Sequence, residues 1–163
     1  MKRDTALVRL SEEHHHGLVF SLRIERELPT ATRAEIDDLY ADLLRFWTRG
    51  LLPHFRTEGE CLLARLIRHV PADHADMRRL EDDHLAITAL VVRMRDARGD
   101  TELRRESLAE FGVALRAHIR WEEREFFGLL QDSLTRDELD AIGVEVLERH
   151  EKPAQAPWED ATG

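Results

Sequence analysis

The 163-residue chain has one cysteine, one tyrosine, eight glycines and five prolines, and its 24 basic residues are outnumbered by 33 acidic ones. Each scarcity excludes something. Cys61 alone forms no internal disulfide, which fits a reducing compartment and makes the cytoplasm the expected location. So little glycine and proline excludes a low-complexity chain, and 42% apolar residues exclude an intrinsically disordered one. A formal charge of -9 argues against nucleic acid or an anionic membrane as the main partner, because both select basic surfaces. No apolar run approaches the roughly 18 residues that span a bilayer. The opening residues 1–10 scatter their charges and carry no export pattern. One soluble globular domain is the expectation.

What the chain has in plenty is leucine and histidine. Leucine occurs 24 times against 14 for valine and isoleucine together, and apolar residues recur every three or four positions, so the chain reads as nearly all helix. The first helix is expected from about Thr5 to Leu28, before Pro29 and Thr30. A second starts near Ala31 or Thr32, passes Pro53 with a kink between Arg49 and Pro53, and closes at Val70-Pro71. A third, capped by Asp73, stops at Arg98-Gly99. The fourth begins near Asp100 or Thr101 and ends about Leu130. A shorter fifth opens at Thr135 with the capping-box pattern Thr135-Arg136-Asp137-Glu138 and runs to about Glu151. Short connections between long helices predict an all-α, up-down-up-down four-helix bundle over residues 1–151, followed by a flexible tail over 152–163.

The two halves of the chain repeat a pattern. Leu10-Ser-Glu-Glu-His14 matches Leu80-Glu-Asp-Asp-His84, and His54-Phe-Arg-Thr-Glu58 matches His118-Ile-Arg-Trp-Glu122. Residues four apart share one face of a helix, so each His-x-x-x-Glu pair aims an imidazole and a carboxylate the same way. Counting residues to the turns puts the ligands of helices two, three and four within about one helical turn of a common level. The first hairpin is less even, with about 14 residues before its turn and about 22 after it. Two carboxylates facing each other inside a bundle would cost several kcal/mol, about the cost of any unpaired buried charge, unless protonated or paired; divalent cations remove that conflict. Imidazole with carboxylate suits iron, manganese or zinc. One glutamate from each pair is placed to bridge, which points to a two-metal site, with iron favoured by its redox chemistry.

This constellation resembles the hemerythrin-like, HHE cation-binding family, whose signature is a histidine followed by His-x-x-x-Glu in each half. The likeness covers about residues 6–130. It implies a metal-binding four-helix bundle with a carboxylate- and oxo- or hydroxo-bridged di-iron centre, two iron ions that bind or react with dioxygen or peroxide. By motif position the metal ligands are His14, His54, Glu58, His84, His118 and Glu122, with the glutamates as bridges. Oxygen-carrying members have a second histidine one turn before the third-helix ligand. Here that position is Leu80, which argues against pure oxygen carriage.

Three functional classes follow: oxygen or iron sensing by a binding protein with a redox or signalling partner, a peroxide-decomposing enzyme, and iron storage or delivery. Leu7, Leu10 and Leu18 all fall within about 40° of His14 on a helical wheel, so His14 is the inward member of the His14-His15-His16 run. His15 remains open as an alternative or supporting ligand, and Glu81 as an extra one. His69, His74 and His150 are expected in solvent, and Glu123 at the surface or just behind the ligands. Trp47 and Cys61 are expected in the core.

Overall fold

The computed structural model describes residues 2–151, and among them there is no strand. The chain is an all-α bundle, as the leucine periodicity implies. The tail expected over 152–163 lies outside the described residues.

Among the described residues, five continuous helical rods make up the bundle. The first covers 5–30 and consists of Val8–Glu27 with a 3-10 turn at each end, the second of which carries Pro29. The second covers 33–66 and starts at Thr32, whose hydroxyl accepts from Glu35 N while the Glu35 carboxylate accepts from Thr32 N. Ala75–Asp96 is the third. The fourth covers 101–133, capped by the Asp100 carboxylate on Leu103 N, and Arg136–Glu151 is the fifth. Thr135 and Glu138 form the expected capping box of that last rod.

Cross-links fix how the rods lie. Glu13 meets His54 and Arg23 meets Asp42, so the first two rods run antiparallel. Asp83 with His118, and Arg93 with Glu110, do the same for the third and fourth. Arg3 reaches Glu123 while Arg105 bonds the Leu28 carbonyl, which sets the first rod antiparallel to the fourth. These two rods approach closely at Gly17, where a Cβ would stand 2.7 Å from Ile119 Cδ1.

Three local details differ from the expectation. The irregularity before Pro53 is a π turn, Trp47–Leu51: the wider turn relieves the clash a proline ring makes with the carbonyl four residues back. The second rod ends at Leu66, before Val70-Pro71, because the chain tightens into turns with Arg68 N on the Arg65 carbonyl. The third rod is capped by His74, whose extended backbone lets Nδ1 accept from Asp76 N at 3.2 Å, and Asp73 lies exposed.

The core is split. One apolar cluster gathers Leu7, Leu10, Leu62, Leu66, Leu80, Trp121, Phe126, Phe127 and Leu130, and the fifth rod closes it with Leu139, Ile142 and Val146. The other gathers Ile24, Ile36, Leu39, Leu43, Ile87, Val91, Leu108, Phe111 and Leu115. The buried polar layer falls between them.

Candidate metal centre

Both glutamates of the repeated motif begin a π turn, Glu58–Leu63 and Glu122–Phe126. An α-helix makes a turn in 3.6 residues, so each four-residue step overshoots a face by about 40°. His54, Glu58, Leu62 and Leu66 are spaced by four and all buried; so are His118, Glu122, Phe126 and Leu130. An undistorted helix would rotate the last of each series away from the core. The wider turn takes the overshoot back, so the histidine and glutamate upstream and the packing residues downstream share one face. The strict four-residue spacing of apolar and ligand residues was the sequence signal for these turns, and it also runs through Leu39, Leu43, Trp47, Leu51 and Phe55 across the third π turn.

All six expected ligand positions meet at one level. His14, His54, Glu58 and Glu122 form one group and Glu58, His84, His118 and Glu122 a second, each with ligand atoms within 4.8 Å of one another. The glutamates belong to both. Glu58 presents Oε1 to His54 Nε2 at 3.1 Å and Oε2 to His84 Nε2 at 3.0 Å, and Glu122 Oε2 lies 3.1 Å from His14 Nε2 and 3.2 Å from His118 Nε2. Each carboxylate thus stands between the two histidine pairs.

The far nitrogens are held by other acids. Glu13 accepts from His54 Nδ1 at 2.7 Å, Glu123 from His14 Nδ1 at 2.7 Å and Asp83 from His118 Nδ1 at 3.2 Å. A proton kept on Nδ1 makes Nε2 the nitrogen that faces inward and binds a metal once it gives up its own proton. His84 is oriented instead by stacking on Phe55, ring centroids 3.7 Å apart and 13° from parallel.

The charges inside the layer are unbalanced. Glu58 and Glu122 are wholly buried, and no oxygen of either has a hydrogen bond; the Nε2 atoms of His84 and His118 are equally without one. Burial and the neighbouring Glu58 charge raise the Glu122 pKa, and His118 and His14 do not offset them. Burial opposes the ionised form of Glu58 too, but His54, His14 and His84 surround it and hold its pKa well below the usual carboxylate range. Burial likewise disfavours the cationic form of His14 and His54, yet the carboxylates around them win. His14 is raised well above its ordinary value, and His54, beside Glu58 and Glu13, to about 9.

Cys61, His150 and Glu123 lie as expected, in the core, in solvent and just behind His14, and the other candidates fall as follows. His15 is exposed and Glu81 is exposed, so neither joins the cluster. His69 is half-buried against Glu138, His74 caps a helix, and His150 meets Arg9 and Glu13. Cys61 is buried in the core and Trp47 is half-buried against Phe55. Glu123 holds His14 directly. Motif spacing alone does not single out Glu13 and Asp83, although each immediately precedes a motif histidine, His14 or His84, and that repetition is their signal.

A family model described as the hemerythrin HHE cation binding domain matches residues 5–130. No curated protein and no solved structure matches the chain.

Proposed function

Since the chain belongs to the hemerythrin HHE cation-binding domain family, we propose that its buried layer holds two iron ions that bind or react with dioxygen or peroxide. His14 and His54 would hold one ion, His84 and His118 the other, with Glu58 and Glu122 bridging. One observation carries this reading. Four carboxylate oxygens lie fully buried between two imidazole pairs, with no hydrogen-bond donor in good geometry and only the imidazole Nε2 atoms as close polar neighbours. A protein interior leaves such groups unsatisfied only at a cost of about 1–3 kcal/mol each, and two cations satisfy all of them. The donor set, imidazole and carboxylate with Cys61 outside it, suits iron better than thiolate-seeking ions.

When bound, iron supplies one-electron steps at each ion and hence two electrons for exchange with dioxygen or peroxide. The chain supplies the rest. Glu13, Glu123 and Asp83 keep the Nδ1 protons of His54, His14 and His118 in place, so their Nε2 atoms stay aimed inward. Leu10, Leu62, Leu80, Trp121 and Phe127 on one side, with Phe55, Leu115 and Ile119 on the other, restrict water. Leu80 is fully buried where oxygen carriers of the family have a further histidine, which leaves the His84 and His118 half with fewer protein ligands. That shortfall favours reaction or sensing over reversible carriage.

Metal analysis of the protein expressed with ample iron tests the proposal: two iron ions per chain are expected, and a chain that takes up none refutes it. Glu58→Ala or Glu122→Ala abolishes paired loading, whereas His150→Ala leaves it intact. Mixing the reduced protein with dioxygen, and separately with peroxide, then sorts the chemistry. An adduct that reverses on degassing means binding, and repeated loss of peroxide means turnover.

A further inference from the structure

The two halves of the site are related residue by residue, and in one place the relation breaks. Glu13, before His14, holds His54; Asp83, before His84, holds His118. Glu123, after Glu122, reaches across to His14 in the other half. The residue in the matching place after Glu58 is Gly59, which offers no acceptor for His84. Among the described residues no carboxylate or carbonyl bonds His84 Nδ1, and this ring is the most exposed of the four, at 15% against 4% or less for the others. The one acid behind its partner His118 stands at 3.2 Å, longer than the 2.7 Å on the other side.

Carboxylates behind metal-binding histidines fix the ring, raise its basicity and typically change metal affinity 10–100-fold. The His14 and His54 pair has two such partners at short distance. The His84 and His118 pair has one, and stacking on Phe55 orients His84 without adding to its basicity.

Resting on the dinuclear reading above, we infer that the two metal positions are unequal. Glu13 and Glu123 are positioning residues that make the His14 and His54 position the tight one, while the His84 and His118 position exchanges its ion. Metal enters and leaves on the His84 side. Gly59 is what loosens it: nothing lies within 4 Å of a Cβ built there, so the vacancy would accept a side chain.

The test loads the full chain with two equivalents of cobalt(II) and follows transfer to a chromophoric chelator. Wild type releases its ions in two phases at least about tenfold apart. His84→Ala abolishes the fast phase and keeps the slow one, which assigns them. Glu123→Gln, at a half-buried position, accelerates the slow phase alone by about 10–100-fold and shifts the cobalt absorption of that ion only. Gly59→Glu slows the fast phase, a gain that structural damage does not imitate. Release of both ions in one phase, or an effect of Glu123→Gln on the fast phase, overturns the inference and leaves the dinuclear reading standing. Failure of the wild-type chain to take up two cobalt ions overturns that reading instead, and the inference with it.

Discussion

Replacing either buried glutamate of the layer by glutamine should disable metal loading alike, yet move the stability of the metal-free protein in opposite directions. Glu122 lies wholly buried with neither oxygen hydrogen-bonded, and burial together with Glu58 raises its pKa above the usual 4.5. A carboxylate whose folded pKa is raised costs stability at every pH above its unfolded value, and the cost disappears once acid protonates both states. At pH 7 with chelator present, Glu122→Gln removes that cost, worth about 1–3 kcal/mol for one unsatisfied buried group. At about 2–4 °C per kcal/mol for a chain of this size, its Tm rises by roughly 2–12 °C.

Glu58 behaves oppositely. Its pKa is depressed by His54, His14 and His84, so its ionised form contributes stability above 4.5 that is lost as pH falls through the folded value. Glu58→Gln therefore lowers the Tm of the metal-free protein at pH 7. Thermal unfolding followed by circular dichroism, with chelator and then with iron, measures both effects. Iron shifts the comparison toward wild type, which gains about 2.7 kcal/mol per ion at a hundredfold excess over Kd, while each variant gains less. The reasoning is refuted if both substitutions shift the metal-free protein the same way.

Other consequences are quicker to check. Burial raises the Cys61 thiol to about 11 and its side chain is fully enclosed, so thiol reagents at pH 8 should label it only after denaturant is added. The Glu138 carboxylate, hydrogen-bonded to His69 and to Thr135 N, is held down to about 2. Its contribution is therefore present above about 4.5 and fades as pH falls toward 2, so the Tm gap between wild type and Glu138→Ala should close across that window. Ile142→Ala, at a fully buried position of the fifth rod, should cost about 2–5 kcal/mol in denaturant titrations if that rod belongs to the bundle core. A loss under 1 kcal/mol, about what an exposed site gives, would mean that the rod packs independently.

The periodicity of leucine was enough to read the rods, and the repeated His and His-x-x-x-Glu order was enough to name the six residues that meet, because both are properties of single helices. The π turns were harder. A propensity scale does not mark them, and they arise from a conflict between a four-residue spacing and a 3.6-residue turn, visible only when His54, Glu58, Leu62 and Leu66 are required to face inward together. The acids behind the ligands were harder still, since the wheel position of Glu13 or Glu123 says that it leaves the apolar face and not which neighbouring rod it meets. Once the rods are in place, the same repeat that names the ligands also predicts their partners, and the departure from it at Gly59 becomes informative. A chain built twice from one pattern would give two equal metal positions. The chemistry proposed for this one turns on two places on the His84 side: Gly59, where the copies differ because the other half has Glu123, and Leu80, which matches Leu10 but stands where oxygen carriers of the family have a histidine.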